Sequence, residues 1–288
     1  MANLKDIRNR IKSVTSIQQV TKAMKMVAAA KMRRAQENME KARPYTNKIS
    51  EMLDSLVHEI DRNILPELEE RKVINRKLFV IITADRGMAA AFNTNITKTA
   101  HKAIDKFGKD KSDLICIGKK GITYFKNRKY NIISDYVDFW NTLNYQDAID
   151  ITASIISLFT EGKVDQVQVI YNKFINVGKQ EVQNETFLPL SYDEGSKEVV
   201  SISSERIFEP SKDDVVKKLV PRYLNTKVWQ YLLESFAAEQ AARMVAMENA
   251  TTNAQDMIKD LKLQFNKARQ TAITTEMLEI VSGAEALS

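Results

Sequence analysis

The sequence has few of the residues that build disulfides and metal sites. Its single cysteine, Cys116, excludes an intrachain disulfide. Cys116 lies in the run DLICIG, which predicts a buried strand and an unreactive thiol. The two histidines, His58 and His101, lie in unrelated segments without the spacing of metal ligands. We therefore expect no metal site.

Long apolar runs are also missing. No stretch approaches the roughly 18 apolar residues of a membrane-spanning helix. The start, MANLKDIRNRIKSVTSI, has frequent charges and lacks the apolar centre of a secretory signal. The hydrophobic content of 44% is nevertheless enough to bury a core. These features predict a folded protein that is soluble or peripheral to a larger assembly.

Glycine is absent from residues 1–86 and 196–282, although the chain has eight glycines. Because glycine marks turns that helices avoid, the two ends are predicted to be long helices. The sequence thus predicts an N-terminal coiled-coil helix (1–66), a central α/β domain (67–210) and a C-terminal coiled-coil helix (211–288).

The N-terminal part carries apolar residues at steps of three and four, which predicts one helical stripe. Pro44 is expected to kink or loosen this helix, and Pro66 to end the region. The predicted stripe consists of Leu4, Ile7, Ile11, Val14, Ile17, Val20, Met24, Val27, Ile49, Leu53, Leu56 and Ile60.

The C-terminal part alternates the same steps more strictly, which is typical of a coiled-coil seam. About 60 helical residues at each end would extend roughly 90 Å, so both helices should project from the central domain. Folding back into an antiparallel, left-handed pair would cover both stripes. The predicted seam consists of Met244, Met247, Thr251, Ala254, Ile258, Leu261, Phe265, Ala268 and Ala272.

The central part alternates short apolar runs with helical segments. This alternation predicts a mostly parallel sheet with helices on both faces, a doubly wound, Rossmann-like α/β domain. Strands are predicted at 77–83, 113–118, 131–137, 166–172 and 182–190, with helices near 92–107 and 145–161 and a short helix after the second strand.

A doubly wound sheet often binds a nucleotide, but the loops TADRGMAAAFN and IGKKG contain neither G-x-G-x-x-G nor G-x-x-x-x-G-K-[ST]. Lys119 and Lys120 could contact a phosphate, although a solvated turn is the commoner role of such a pair. Asp85 and Arg86 are the best acid and base candidates, without a nucleophile beside them. We expect no cofactor and no catalytic residue. A nucleotide-dependent α/β enzyme remains an alternative.

Basic charge is concentrated in the first helix. Between residues 1 and 43 the only acidic residues are Asp6, Glu37 and Glu40, among many lysines and arginines. Such a helix suits a phosphate backbone, but interleaved aromatic residues and base-reading amides at a helix tip are missing. A protein partner that offers carboxylates fits at least as well. A basic coiled-coil nucleic-acid-binding protein is the other alternative.

Two segments, VTKAMKMVAAAKMRRAQ (20–36) and the run from EQAARMVAM to EIVSGAEAL (239–287), closely resemble the first and last helices of F-type ATP synthase gamma subunits. The motifs TADRG, GKKG and IFEP extend the likeness to nearly the whole chain. The resemblance implies a noncatalytic rotor shaft of a bacterial H⁺-transporting ATP synthase. Such a shaft couples rotation of the membrane c ring to ATP synthesis or hydrolysis at the beta subunits.

The resemblance also implies the partners, namely the alpha and beta subunits of the catalytic head, the epsilon subunit and the c ring. Nucleic acid is not expected, and membrane association is indirect, at the cytoplasmic face of the bacterial inner membrane. Carried over by motif, Arg243, Gln270 and Thr274 contact a beta subunit. A coupling neck contains Met24, Lys31, Arg33 and Arg34, and Glu209 belongs to the foot that meets the c ring and epsilon.

The chain departs from the family in one place. Where the family usually has Asp-Arg-Gly-Leu-Cys-Gly-Gly, this sequence reads DRGMAAA, which leaves the shape of that turn open. The paired cysteines of chloroplast members are absent, so thiol switching is not expected.

Asn266, Gln270 and Thr274 follow one another at steps of four, beside the predicted seam. They are therefore expected to face outward, and the resemblance implies that this face contacts a beta subunit. Hydrogen bonds from such side chains contribute about 0.5–1.5 kcal/mol each, which can hold one rotational position and still break. A plain hydrophilic helix face is the alternative.

Overall fold

The computed structural model describes residues 4–57, 65–69, 71, 73–190 and 211–285. These residues form two compact units. The helix-pair unit contains the chain up to Ala29 and from Arg243 onward, and the α/β unit contains Ala30–Ala242. The helices are α1 (Leu4–Val57), α2 (Phe92–Phe107), α3 (Lys119–Lys126), α4 (Tyr145–Thr160) and α5 (Lys212–Glu285); the strands are β1 (Lys77–Ile82), β2 (Ser112–Ile117), β3 (Asn131–Tyr136), β4 (Gln166–Asn176) and β5 (Lys179–Leu188).

The α/β unit contains one five-stranded sheet in the order β3-β2-β1-β4-β5. The strands β3, β2, β1 and β4 are parallel, and β5 returns antiparallel to β4. The chain crosses from β1 through β2 to β3 on one side and then returns to place β4 on the other side of β1. This reversal is the topology of a doubly wound fold, as the sequence predicted.

Side chains of β1 alternate between two cores, as they must on a pleated strand. Val80 and its neighbours two residues away contact α4 and the α/β-unit parts of α1 and α5. Phe79 and Ile81 pack against α2 and α3 on the opposite face. The predicted helices on both faces are therefore confirmed. Cys116 lies in the second core, where burial raises the pKa of its thiol to about 12, in agreement with an unreactive role.

The β4–β5 hairpin is fixed to α5 by a shared carboxylate. The hydroxyl groups of Tyr171 and Tyr231 donate to the two oxygens of Glu185, at 2.9 and 3.0 Å. The two rings are 4.5 Å apart between centroids. Burial raises the pKa of both tyrosines, so both hydroxyls remain donors at neutral pH.

The first helix continues through its proline. Pro44 lies inside α1, which continues to Val57. A proline removes one backbone hydrogen bond from a helix. Here Ile49, Leu53 and Leu56 after the proline are buried in the core of the α/β unit, and this packing supports the end of the helix. Pro66 begins a short 3₁₀ turn, Pro66–Leu68.

In the helix-pair unit, α1 and α5 pack antiparallel. Arg8 lies over the ring of Phe265, 5.6 Å from its centroid, and Thr21 hydrogen-bonds Thr251 at 2.8 Å. Farther along α1, Lys25 forms an ion pair with Glu248. Along this series the residue numbers rise on α1 and fall on α5, which is the order expected of an antiparallel pair. The predicted antiparallel coiled coil is thus confirmed for this unit, with a core of Ile7, Val14, Ala254 and Leu261.

The seam of α1 differs from the predicted stripe. Ile17, Val20 and Val27 are 55–57% exposed, so their prediction as seam residues was wrong. Positions one residue later are buried or half-buried instead, and they are polar or small: Gln18, Thr21 and Ala28. The inward positions keep the alternation of three- and four-residue steps from Ile7 and Val14, and the apolar residues leave it after Val14. Ile60 of the predicted stripe lies outside the described residues.

The seam of α5 follows the predicted pattern from Met244 to Ala268, where each predicted position is buried or half-buried. Ala272 is exposed, so the seam is shorter than predicted. The reason is the length of its partner, because Phe265 already lies beneath Arg8, close to the first described residue of α1. From Arg269 to Ala284 every residue of α5 is exposed.

Candidate protein-binding surfaces

The carboxyl edge of the sheet, where a doubly wound fold would hold a nucleotide, is closed by Asp85. One oxygen of Asp85 accepts the backbone N–H of Lys119 at 2.9 Å, at the first residue of α3, and the other accepts that of Asp138 at 3.0 Å. The Lys119 ammonium pairs with Asp138 at 2.7 Å, and this bond raises the pKa of Lys119. A carboxylate therefore occupies the helix end to which a phosphate would bind.

The glycines of IGKKG serve packing rather than phosphate binding. A Cβ on Gly118 would lie 2.1 Å from the carbonyl oxygen of Thr83, and one on Gly121 would lie 2.9 Å from its hydroxyl. The Thr83 hydroxyl accepts the N–H of Gly121 at 2.9 Å. The motif thus allows α3 to approach the end of β1 closely, and the geometry does not support the nucleotide-dependent enzyme.

No group of three or more His, Cys, Asp and Glu side chains that could hold a metal ion is found among the described residues. In the same part of the chain, no helix is long and apolar enough to cross a membrane.

The predicted beta contacts at the end of α5 form one exposed face. Asn266, Gln270 and Thr274 are all exposed, and we call these three residues the contact face. The amides of Asn266 and Gln270 make no hydrogen bond to the described part of the chain, so their donors and acceptors are free for a partner. The hydroxyl of Thr274 donates to the Gln270 carbonyl at 2.9 Å. Thr274 therefore presents acceptor lone pairs outward, and a partner must donate to it.

Arg243 is placed differently from the contact face, because its side chain is buried, with 8% exposed. Contact with a partner would require this side chain to leave its buried position, so its role stays a prediction.

The predicted neck residues lie in the middle of α1. Met24 is half-buried, and Arg33 and Arg34 are exposed. The ammonium of Lys31, within the α/β unit, donates to the side-chain oxygen of Asn141 at 2.8 Å. Glu209, the predicted foot residue, lies outside the described residues.

Sequence reasoning missed two features. The role of Asp85 as a cap for two backbone N–H groups has no local signal, because its partners lie 34 and 53 residues away. The exposure of Ile17, Val20 and Val27 was missed because their spacing alone matches a seam.

Comparisons with known proteins agree on one family. The protein-family model described as ATP synthase matches residues 3–287. The ATP synthase gamma chain of Prosthecochloris aestuarii is 49% identical over 296 aligned residues, which cover 100% of this chain and 99% of the relative. That of Chlorobium phaeobacteroides (strain DSM 266) is 47% identical, with the same coverage of both chains.

Solved structures agree with this match. A chain from the central stalk and c-ring structure of the Tetrahymena thermophila mitochondrial ATP synthase is 26% identical, with a TM-score of 0.61; the match covers 80% of this chain and 99% of that chain. A chain of the Euglena gracilis mitochondrial ATP synthase, at 19% identity and a TM-score of 0.67 over 99% of this chain and 94% of its own, shows the shared fold. A doubly wound unit whose nucleotide edge is closed by a carboxylate, an antiparallel pair of terminal helices and full-length relatives at nearly half identity lead to one conclusion: the chain belongs to the ATP synthase gamma chain family.

Proposed function

We propose that this chain is the central rotor shaft of an F-type ATP synthase and performs no catalysis itself. The observation that carries the proposal is the contact face, an exposed set of uncharged hydrogen-bonding groups that begins beside the last packed residues of the α5 seam and continues past them. Family membership and the closed carboxyl edge of the sheet support it. The shaft would couple rotation of the c ring to conformational change at the beta subunits.

The partners follow from the same proposal. The contact face would bind one beta subunit at a time inside the ring of alpha and beta subunits, and the neck residues Met24, Lys31, Arg33 and Arg34 would contact the same head. Glu209 would belong to the foot that meets epsilon and the c ring. Attachment to the membrane would be indirect, through the c ring at the cytoplasmic face of a bacterial inner membrane.

The contact face would act through directional bonds that form and break. A hydrogen bond lost from the interface leaves a buried partner group unpaired, at a cost of about 1–3 kcal/mol. Because only one rotational position makes the bond, its population would shift by roughly five- to hundredfold relative to the others. Uncharged groups suit this purpose, since large apolar contacts would hold one position too firmly.

The test uses the complex assembled from the alpha and beta subunits and this chain. Gln270→Leu and Thr274→Val should lower steady-state ATP hydrolysis severalfold while assembly stays normal, because neither residue packs in the seam. Matched controls lie on other exposed faces of α5. Gln264→Leu makes the same amide-to-alkyl change, and Thr275→Val removes the equivalent hydroxyl, which donates to the Thr271 carbonyl at 3.0 Å.

The controls should retain full hydrolysis. Equal losses in controls and contact-face variants would assign the effect to the helix itself, and full activity in all four variants would reduce the contact face to a solvated surface.

A further inference from the structure

Basic side chains gather at the amino edge of the sheet, where the parallel strands begin. The register pairs Lys77 with Ser112 and Asp113 with Asn131, so β1, β2 and β3 start at this one edge. The last turns of α2 and α3, and the connections that follow them, lead to the same edge. Exposed basic residues occupy these segments, and we call the following six the basic edge: Lys106, Lys109, Lys111, Lys126, Arg128 and Lys129.

Direct contacts join the two segments into one surface. The ammonium of Lys109 donates to the backbone carbonyl of Arg128 at 2.8 Å and lies 4.7 Å from the centroid of the Tyr130 ring. The pKa of Lys77, at the start of β1, is lowered by burial and in addition by the charge of Lys106. The fold therefore holds like charges near one another although they repel.

The charge of the basic edge is not compensated within the chain. None of its six members forms an ion pair with a carboxylate in the part of the chain that the structure describes. The same segments expose only two acids, Asp105 and Asp110. Elsewhere at this edge a cation is paired, since Arg71 contacts Asp165 at 2.8 Å. The excess positive charge of the basic edge is thus available to an external anion.

The chemistry of the basic edge narrows the class of that anion. Nucleic-acid surfaces present aromatic rings on which bases stack, but here Arg128 lies over the ring of Tyr124, 3.8 Å from its centroid, and Lys109 lies over Tyr130. No large apolar side chain is exposed in residues 105–111 or 126–130, so the apolar centre of a stable protein interface is missing. A dense set of long cations, mostly lysine, suits a broad and diffuse anionic surface.

We infer that the basic edge is an attachment surface for the anionic lipid headgroups of the membrane that contains the c ring. The inference rests on the proposed function, which holds the chain beside that membrane. A fluid bilayer is laterally uniform, so its attraction for lysines is the same at every rotational angle and creates no barrier to a turning shaft. The attraction extends over about one Debye length, roughly 8 Å at physiological salt.

The test measures binding to lipid vesicles of the complex assembled from the alpha and beta subunits and this chain. Flotation should recover the complex with vesicles of phosphatidylcholine that contain about 30% phosphatidylglycerol, and not with phosphatidylcholine alone. A variant with Lys106→Gln, Lys111→Gln and Lys126→Gln should bind the anionic vesicles about tenfold more weakly or less, because three charges are lost. Assembly and ATP hydrolysis of this variant should stay normal, since all three side chains are exposed.

The matched control carries Lys48→Gln, Lys163→Gln and Lys179→Gln, which change the net charge equally. These three lysines are exposed in the same unit, and each already pairs with a neighbouring glutamate. The control should bind within about twofold of wild type. Equal losses in both triple variants, or binding that does not depend on phosphatidylglycerol, would overturn the inference and leave the proposed function standing.

Two provisions keep the outcome decisive. If the triple variant does not assemble, Lys111→Gln alone replaces it, with an expected loss of twofold or more. If the wild-type chain does not enter a complex with alpha and beta, the proposed function fails, and the same vesicle comparison of the variants is made with the free chain.

A last pair of measurements decides the chemistry of the partner. Binding to the anionic vesicles should fall severalfold between about 50 and 500 mM salt, and binding that persists would contradict an electrostatic attachment. A single-stranded RNA of about 20 nucleotides, added at an equal concentration of phosphate groups, should leave the complex on the vesicles. Displacement by this RNA would assign the basic edge to nucleic acid and overturn the inference.

Discussion

At the scale of single residues, Ala90 holds a backbone conformation that favours glycine. Its φ is 45°, in the left-handed region, and Met88 in the same turn has a φ of 62°. The family that the sequence resembles usually has glycine at position 90. The side-chain oxygen of Asn93 accepts the N–H of Ala84 at 2.9 Å and so links the two sides of the turn. The sequence could not predict this conformation, since nothing local distinguishes Ala90 from the alanines beside it.

Ala90→Gly should stabilise the α/β unit by roughly 1 kcal/mol, because it removes the contact of Cβ with the backbone in a left-handed residue. Ala90 is exposed, so no packing is lost. Denaturant unfolding followed by the fluorescence of Trp140 and Trp229, both in this unit, measures the change. Ala153→Gly is the control, because Ala153 is exposed inside α4 of the same unit, where glycine should destabilise by about 0.5–1 kcal/mol. Similar effects of the two variants would contradict the strain at Ala90.

A second residue, Glu234, is a buried acid that has a hydrogen bond to only one of its two carboxylate oxygens within the described part of the chain. The amide of Gln230 donates to one oxygen at 2.7 Å, while the other lies buried without a hydrogen bond from the described residues. Burial raises the pKa of Glu234, and the charge of Glu185 on β5 raises it further. Lys173 on β4 and Lys227 on α5 oppose this shift, and the hydroxyls of Tyr171 and Tyr231 are directed to Glu185.

Because the folded pKa is raised, the folded unit binds a proton at Glu234 more tightly than the unfolded chain does. This contribution to stability is present below the unfolded pKa of about 4.3 and is lost as the pH rises through the folded value. Glu234→Gln should therefore raise the melting temperature relative to wild type near pH 8, and the difference should shrink toward pH 4.5. A difference in melting temperature that stays constant between pH 4.5 and pH 8 would show that the pKa of Glu234 is not raised in the folded unit.

At the scale of elements, local patterns predicted the strands and the α5 seam well. The strands β1 and β2 are short apolar runs buried on both faces of the sheet, and the α5 seam has a single set of regularly spaced residues. On α1 two sets compete, one residue apart: apolar Ile17 and Val20, and polar Gln18 and Thr21. The polar set includes the hydrogen bond between Thr21 and Thr251, a contact between residues 230 positions apart that no local pattern contains.

A pair of substitutions compares the two sets directly. Val14 is buried in the helix-pair core and Ile17 is exposed, although both belong to the same apolar spacing. Val14→Ala should destabilise the helix-pair unit by about 1–2.5 kcal/mol through lost burial, and Ile17→Ala should change it by less than about 0.5 kcal/mol. Amide hydrogen exchange over residues 4–29 measures both effects within this unit. Equal losses of protection would return Ile17 to the seam.

At the scale of the whole molecule, the fold and the family could be predicted from the sequence, while the closure of the sheet's carboxyl edge could not. The strand and helix order indicated a doubly wound sheet, and the ordered motifs near the C-terminus indicated the gamma family. The sequence shows that both common phosphate-binding motifs are missing from the loops. Only the structure shows that the Asp85 carboxylate lies at the start of α3, where it accepts the backbone N–H groups of Lys119 and Asp138.

The free chain should not bind ATP at micromolar concentration. The carboxylate of Asp85 already occupies the N–H donor that a phosphate would use, and its negative charge repels a phosphate. Isothermal titration calorimetry with Mg-ATP should give no saturable heat between about 1 and 100 μM. A tight, stoichiometric isotherm would revive the nucleotide-dependent enzyme.

The exposed end of α5 has a thermodynamic consequence for assembly. Beyond Ala268 the helix has no packed neighbour among the described residues, and it contains many β-branched side chains, which have low helix propensity: Thr271, Ile273, Thr274, Thr275, Ile280 and Val281. A segment of this length without tertiary support is marginal in water, so in the free chain it will fray from its end. Part of the free energy of docking is then consumed in ordering the segment. The chain consequently binds its partner less tightly than the contact area would suggest. When a contact is released, the segment regains its conformational entropy.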